Sequence, residues 1–258
     1  MSDIAERFER INPAPAYLLV AEAIEKEITS GRLRAGEPLG TEAALVKQFG
    51  VNRSTIREGI RMLEQAGLVH RDSSRRLTIG LPHYERLASR MTRALVLHEV
   101  TFRELWEAAL VLDLGAVEHA ALRATPERVA ELEANIARTE AASGDWAVVV
   151  ELDTQWHGLV FKAAGNRVLQ LAREPAGLLN LPATELILER VDEALPRLIV
   201  AHREITDAIR KRDVEGARLW MRRHLQDWRR GFERIGKDLD QPIDQVYLQS
   251  TIANERRR

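Results

Sequence analysis

The stretch that decides the fold is residues 31–69, GRLRAGEPLGTEAALVKQFGVNRSTIREGIRMLEQAGLV. It contains two helical patterns separated by a short turn around Gly50. The first pattern starts at Thr41, whose hydroxyl suits a helix N-cap, and ends just before the glycine. The second runs from about Arg53 to Ala66, with apolar residues at helical spacing. This arrangement predicts a helix-turn-helix.

The flanking segments add a helix before this motif and a hairpin after it. Residues 14–30 have helical periodicity, and residues 68–69 and 77–79 look like short strands joined by the polar turn 72–76. Between residues 41 and 80, seven Lys/Arg stand against four Asp/Glu, a net charge of +3. The segment therefore predicts a basic winged helix-turn-helix.

The start of the second helix has the chemistry of a major-groove reader. Free N–H groups at a helix N-terminus attract phosphate, hydroxyls bond phosphates or base edges, and Arg can take guanine bidentately. A lone basic helix is more often a solvated face, here with Arg53, Arg57 and Arg61 beside Glu58 and Glu64. The turn, the polar helix start and the basic hairpin together favour DNA binding instead.

Residues 24–79 resemble the winged helix-turn-helix of GntR-family regulators. The family pattern is roughly G-x-L-x-P-G-x-x-L, then E-x-x-L-A-x-x-F-G-V-S-R-x-T-V-R-E-A-L-x-x-L-E-x-x-G-L-V. Gly40 stands where the family usually has Pro, Ala43 where many members carry a DNA-contacting Arg, and residues 72–76 lack the usual glycine-rich wing tip. The residues expected to contact double-stranded operator DNA are Thr41, Asn52, Arg53, Ser54, Thr55, Arg57, Arg75 and Arg76.

The rest of the chain predicts helices almost throughout. The Gly-Leu-Pro segment 80–82 indicates a domain boundary. The expected organisation is a winged helix-turn-helix in 1–80, an all-helical bundle in 81–236 and a C-terminal extension in 237–258. The fold class is mainly α with a small β wing. A Pro/Gly-containing region around 175–182 predicts a kink or loop.

Composition restricts the classes of function. The 258-residue chain has a net charge of −1 and no Cys, which excludes disulfides and thiolate metal sites and favours a reducing cytoplasm. The N-terminal MSDIAERFER is charged where a signal peptide would be apolar, and no apolar stretch is long enough to span a bilayer, so no membrane partner is expected.

Four side chains in the second half could converge on a cation. Asp153 and His157 are spaced i, i+4 on one predicted helix, and His202 and His224 lie on two later ones. A carboxylate with three neutral imidazoles suits Zn²⁺, Ni²⁺, Mn²⁺ or Fe²⁺ rather than a thiolate-seeking metal. An i, i+4 Asp–His pair is also common as an exposed charge pair, so the spacing alone leaves both readings open.

Residues 82–236 resemble the all-helical ligand-sensing FCD domain of the FadR-type branch of the GntR family. D-x-x-x-H falls at 153–157, G-N at 165–166, H-x-x-I-x-x-A-I-x-x-x-D-x-x-x-A at 202–217 and H-L at 224–225. The resemblance implies a cytoplasmic, homodimeric transcription regulator, more commonly a repressor, that binds a small-molecule effector beside a divalent metal (Zn, Ni or Mn). The implied metal ligands are Asp153, His157, His202 and His224.

One departure concerns the effector. Many metal-containing relatives read E-x-R-x-x-L-E in the first helix of this domain, and the Arg pairs with the effector's carboxylate. Here Ala109 replaces that Arg and Asp113 replaces the second Glu. We hypothesise that the effector is not the usual simple carboxylate, or that another cation such as Arg103 substitutes. Trp106 could face the same cavity, although an ordinary core aromatic explains it equally well. The candidate effector-binding residues are therefore Trp106, Ala109 and Asp113.

Two other functions stay open at this point. The cluster could serve a metal-dependent enzyme that activates water or oxygen. Against this, the chain has no Ser/His/Asp order, P-loop or dinucleotide fingerprint, and an operator reader is unusual on an enzyme. Alternatively, the metal could be purely structural or could itself be the species that the regulator senses.

Overall fold

The computed structural model describes residues 14–72, 76–81 and 84–243, and the chain divides between His83 and Tyr84 into two compact units. The first unit contains α1 (Ala16–Thr29), β1 (Pro38–Gly40), α2 (Glu42–Phe49), α3 (Arg53–Ala66), β2 (Val69–Arg71) and β3 (Leu77–Ile79). The second contains α4 (Tyr84–Leu97), α5 (Phe102–Arg123), α6 (Pro126–Ala141), α7 (Trp146–Ala164), α8 (Arg167–Arg190), α9 (Ala194–Arg210) and α10 (Val214–Arg234).

The core of the first unit forms around the apolar stripe of α3. Ile56, Ile60 and Leu63 on this helix are at most 2% exposed. Gly59 lets α1 approach closely, because a Cβ at that position would lie 3.0 Å from the carbonyl oxygen of Tyr17. The packing leaves the opposite, polar face of α3 in solvent, which positions its charged residues for a ligand.

The wing is a three-stranded antiparallel sheet in the order β1–β3–β2, with Val69 opposite Ile79 and Arg71 opposite Leu77. The sequence predicted the second and third strands but not β1. This strand has only three residues, Pro38 to Gly40, of which only the middle one is partly buried. A segment so short shows no alternation of apolar and polar residues, so pattern alone cannot find it.

The second unit is all-helical, and α5 lies at its centre. This helix packs against α7, α8, α9 and α10. Small side chains on α5 make the close approach possible, since Ala116, Ala120 and Ala121 are fully buried. Within the described ranges, none of the helices combines the length and apolar character needed to cross a bilayer.

A single continuous helix, α8, stands where the sequence predicted a kink or loop around 175–182, so the loop alternative is wrong. Pro175 and Pro182 both lie inside it. Each proline removes one helical hydrogen bond. The apolar face of α8 offsets that loss, because Leu179 and Ala183 are at most 3% exposed and belong to a core shared with α4, α5 and α10. Tertiary burial therefore overrides the local preference of proline.

The segment after α10 packs on the second unit as far as it is described. The backbone N–H of Arg103 donates to Leu239 O at 2.9 Å, and the N–H of Ile243 donates to Val100 O at 2.9 Å. Leu239 and Ile243 are both 3% exposed. Leu239 and Ile243 of the predicted extension are thus part of the domain's core.

Candidate functional site

The turn between α2 and α3 is built by capping residues. The Thr41 hydroxyl accepts a hydrogen bond from the N–H of Ala44 at 3.1 Å at the start of α2. Gly50 ends α2 with a φ of +65°, a conformation that costs a residue with a Cβ about 1 kcal/mol or more. Asn52 then caps α3 by accepting from the N–H of Thr55 at 2.9 Å. These contacts fix how the N-terminus of α3 is presented.

The residues predicted to contact DNA at the start of α3 fall into two groups. Ser54 donates to Asn52 Oδ1 at 2.7 Å, so both side chains already shape the helix start. Thr55 is partly buried in the helix, whereas Arg53 and Arg57 are exposed. The exposed arginines are therefore the side chains best placed to reach a ligand, with the capping residues holding the helix end behind them.

The cations of α3 differ in how far they are neutralised. Arg53 Nε lies 3.7 Å from Glu42 Oε2, a loose contact of an exposed side chain. Arg61 is tightly paired with Glu58, one turn away, at 2.5 Å. Arg57 makes no ion pair with any residue in the described part of the chain. Arg57 is thus available to bind a phosphate or a base edge.

Of the two wing arginines predicted to contact DNA, the structure describes Arg76. The N–H of Arg76 donates to Asp72 Oδ1 at 2.8 Å, and the N–H of Asp72 donates to the Arg76 carbonyl at 3.0 Å. These bonds close the end of the hairpin and leave the Arg76 side chain exposed. Arg75 lies outside the described residues.

The four candidate metal ligands of the second unit come together from three helices. Asp153 and His157 lie one turn apart on α7, His202 lies on α9 and His224 on α10. One ligand atom from each side chain lies within 4.8 Å of those of the other three. His157 and His202 are buried, while Asp153 and His224 are partly buried beside a cavity.

The donor atoms of the cluster fit a divalent cation. His157 Nε2 and His224 Nε2 face each other at 3.2 Å, close to the roughly 3.4 Å expected for two imidazole nitrogens on one tetrahedral zinc ion. His202 Nε2 lies 3.2 Å from Asp153 Oδ1, yet neither atom has a hydrogen-bond partner among the described residues. Buried polar atoms without a partner are costly, and a bound cation would satisfy them.

A second carboxylate orients His157. Asp113 Oδ1 on α5 lies 2.6 Å from His157 Nδ1, and Asp113 is fully buried. Because an ionised carboxylate only accepts hydrogen bonds, this contact assigns a proton to Nδ1, and Nε2 is the ring nitrogen that faces the cluster. The Trp156 ring stacks on the His202 ring, with centroids 3.7 Å apart and planes at 7°.

The electrostatics of the cluster favour its cation-binding protonation state. Burial lowers the pKa of His202 and lowers that of His224 to about 3. Burial alone would raise the pKa of Asp113 and Asp153. For Asp113, Arg173 and the neighbouring histidines together outweigh this effect. For Asp153, the contact with His202 and the other two histidines do so, and both pKa values therefore lie below the ordinary range. Neutral imidazoles and ionised carboxylates at neutral pH are the forms that bind divalent metals.

A cavity opens beside the cluster, lined by Asp153, His157 and His224. Trp106 and Ala109 line it as well, and the Trp106 indole N–H donates to Leu225 O at 2.8 Å. The apolar part of the wall includes Leu181, Leu188, Val191 and Leu198, and the cationic part consists of Arg173, Arg197, Arg230 and Arg234.

Two of the sequence hypotheses about this cavity need correction. Asp113 does not line it, because its carboxylate is buried against His157. Arg103 does not line it either, since its guanidinium pairs with the exposed Asp240 at 2.5 Å. Arg173 on α8 lines the cavity instead, a residue that sequence reasoning missed because its surroundings were expected to form a kink or loop.

Two family models match the chain. The model described as "Bacterial regulatory proteins, gntR family" matches residues 16–79, and the one described as "FCD domain" matches residues 104–227. The first match covers the helix-turn-helix and its wing, and the second contains all four cluster residues.

Curated relatives and a solved structure are similar to most of the chain. The HTH-type transcriptional repressor NanR of Cronobacter sakazakii is 26% identical over 220 residues, which cover 80% of this chain and 81% of the relative. An uncharacterized HTH-type transcriptional regulator, YdhC of Bacillus subtilis, is 26% identical over 221 residues, covering 84% and 91%. The structure of Streptococcus agalactiae GntR matches with a TM-score of 0.62 at 25% identity, covering 83% of this chain and 99% of that one.

Proposed function

The chain belongs to the GntR family of bacterial regulatory proteins and carries an FCD domain, and we propose that it is a repressor. It is a transcription regulator and not an enzyme. In this proposal a small-molecule effector, bound beside a divalent metal, controls the binding of DNA. The observation that carries the effector site is the convergence of four ligand atoms within 4.8 Å beside a cavity. The repressor name of the 26%-identical Cronobacter relative supports the proposed sign of regulation.

In the proposed complex the N-terminus of α3 enters the major groove of operator DNA. Arg57 and Arg53 contact bases or phosphates there, and Arg76 of the wing, with Arg75 beside it in sequence, contacts the neighbouring backbone. Thr41, Asn52, Ser54 and Thr55 hold the helix start and offer further hydrogen bonds. The support is the exposure of both α3 arginines and, within the described residues, the lack of a tight ion pair at either one.

We propose that a homodimer binds the operator in the cytoplasm. Two copies related by a two-fold axis place their recognition helices in successive major grooves about 34 Å apart, which calls for a palindromic site. Sedimentation of the protein with and without a palindromic duplex tests this. A single chain bound per duplex at saturation would contradict the homodimer.

The proposed metal ligands are Asp153, His157, His202 and His224, and Zn²⁺, Ni²⁺ and Mn²⁺ all suit this donor set. Bound there, the ion supplies a Lewis-acidic partner for an oxygen atom of the effector. Asp113 keeps the Nδ1 proton of His157 in place, and Trp156 fixes the plane of His202. The chain's own contribution is thus a set of ligands whose orientation is held by neighbouring side chains.

The decisive experiment is binding of the full-length protein to DNA from upstream of its own gene. Fluorescence anisotropy compares this DNA with an unrelated duplex of equal length, over a range of salt concentrations. We expect the protein to bind the upstream DNA more tightly than the unrelated duplex, at a site with two-fold symmetry. Equal affinity for both duplexes at every salt concentration would overturn the proposal that the helix-turn-helix recognises operator DNA.

Metal dependence separates the proposal from its two alternatives. Elemental analysis should find about one divalent ion per chain, and a His202→Gln variant should retain less. If chelation alone releases the DNA and no organic molecule has a further effect, the metal itself is the sensed species. If chelation unfolds the second unit, the role of the metal is structural.

A further inference from the structure

We propose that Arg173 is the anion-recognition residue of the cavity and that it binds the carboxylate end of a small organic acid with an apolar body. The proposal rests on the proposed function, because it names the chemistry of the effector at that same site. Arg173 lies on α8, whereas the position at which the resemblance predicts an arginine is Ala109 on α5. The guanidinium is therefore supplied by a different helix.

The first argument is the position of Arg173. Its side chain is 14% exposed and lines the same cavity as Ala109, His157 and His224. An arginine this far from bulk solvent is costly unless its charge has a function or a strong partner. Among the described residues its ion-pair partner is Asp113, at 3.5 Å from Nε to Oδ2.

The second argument is that this ion pair leaves hydrogen-bonding capacity unused. Neither Arg173 Nε nor Asp113 Oδ2 has a hydrogen-bond partner within the described residues, although both atoms are buried. The guanidinium makes no other hydrogen bond to the described chain. Its planar fork is therefore free to take a carboxylate bidentately, the geometry for which Arg is suited.

The third argument is that the neighbouring residues make room for the guanidinium. A Cβ built on Gly177, one turn further along α8, would overlap Arg173 Nη1. Gly177 is buried in a helix interior, where glycine is unfavourable by about 1 kcal/mol relative to alanine. The glycine thus keeps open the space into which the arginine folds, and Ala109 leaves the facing wall small.

The wall of the cavity indicates the class of ligand. Beyond Arg173 the wall includes Leu181, Leu188, Val191 and Leu198, which suit an apolar body. Arg197, Arg230 and Arg234 lie on the wall as well, but Arg197 is paired with Asp227 and Arg234 with Glu193, and Arg230 is exposed. The metal-ligand candidates and Arg173 together call for a negatively charged, oxygen-rich end. A carboxylate held between them would connect α8 with α7 and α10, the helices that carry the cluster.

Binding of a simple carboxylate to the full-length, zinc-loaded protein tests the proposal. The probe is acetate, compared with neutral acetamide, at ionic strength held constant with chloride. The thermal midpoint is followed against probe concentration, which gives an apparent Kd. We expect a saturable rise with acetate and none with acetamide. Arg173→Met should weaken acetate binding about tenfold or more.

Two further variants keep the test independent of folding. Gly177→Ala retains every charge and improves helix propensity, but displaces the guanidinium, so it should also weaken acetate binding. Arg103→Met removes a half-buried arginine that pairs with Asp240 outside the cavity, and it should leave acetate binding unchanged. Equal acetate affinity in wild type, Arg173→Met and Gly177→Ala would overturn the proposal, as would a wild type that responds equally to acetate and acetamide.

Zinc content and DNA affinity, measured on the same samples, test the proposed function independently of the role of Arg173. A protein that binds zinc and operator DNA but does not distinguish Arg173→Met from wild type would reject the role of Arg173 alone. Should the protein bind no zinc, the acetate comparison is made on the zinc-free protein. The same difference between wild type and Arg173→Met is expected there, because the guanidinium fork does not require the metal.

Discussion

Asp113 stands directly behind His157, with 2.6 Å between its Oδ1 and the imidazole Nδ1, and both side chains are buried. The pair joins the central helix α5 to α7, which carries two of the four cluster residues. Carboxylates in this position fix the orientation of a histidine ligand and raise its basicity. The affinity of the cluster for metal should therefore depend on a residue that does not touch the metal.

Replacing Asp113 with Asn should weaken zinc binding about 10- to 100-fold, since the amide is a poorer acceptor for the Nδ1 proton. Competition with a chromophoric chelator measures the loss. Asp227→Asn is the matched control, because it removes a carboxylate that lines the cavity but pairs with Arg197 instead. Similar zinc affinities for the two variants would count against the orienting role of Asp113.

The metal-free protein should lose stability as the pH falls below about 6.5. The folded-state pKa of His224 is lowered to about 3 and that of His202 is also lowered, so the unfolded chain takes up protons that the folded chain excludes. The free energy of unfolding should drop by up to about 1.4 kcal/mol per pH unit for each histidine.

Urea denaturation between pH 7.5 and 5.5 measures this slope. His224→Gln should flatten it, whereas replacing the exposed His98 by Gln should not. A slope that His224→Gln leaves unchanged would show that other groups govern the pH dependence.

Saturation with zinc should stabilise the second unit. A ligand that binds only the folded state at about 100 times its Kd adds about 2.7 kcal/mol to the free energy of unfolding. Calorimetry with and without zinc gives the increase, and His202→Gln should remove most of it, because His202 Nε2 lies in the cluster. An increase of equal size in this variant would place the zinc elsewhere.

Arg57→Ala should cost about 1–3 kcal/mol of operator binding and lower the slope of log affinity against log salt by about 1 if the contact is to phosphate. Arg61→Ala is the control on the same helix, since Glu58 already neutralises that guanidinium at 2.5 Å. Anisotropy titrations at several salt concentrations distinguish the two. Losses of the same size would indicate that α3 does not present Arg57 to the DNA.

Much of the first unit could be predicted from the sequence because its signals are local. Thr41, Asn52 and the glycines that follow α2 and α3 mark helix ends by capping chemistry, and α3 spans Arg53–Ala66 as predicted. The strand β1 was missed because it is formed by pairing with β3, which is distant in sequence. A local sequence pattern cannot predict pairing with a strand that is distant in sequence.

The cavity was less predictable, because helical periodicity shows which residues share a face but not what that face meets. Asp113 was expected at the effector, yet the rotation of α5 buries it behind His157. Arg173 was overlooked because Pro175 and Pro182 pointed to a break in the helix. Only the intact α8 places Arg173 one turn from Gly177 and brings it to the cavity.

The stack of Trp156 on His202 gives the second unit its own optical reporter. Indole emission responds to the electronic state of an aromatic ring in van der Waals contact, and the two centroids lie 3.7 Å apart. A cation that draws electron density from the imidazole therefore changes the fluorescence of Trp156. A variant that keeps this residue alone among the five tryptophans would report filling of the cluster in solution, with no dye attached.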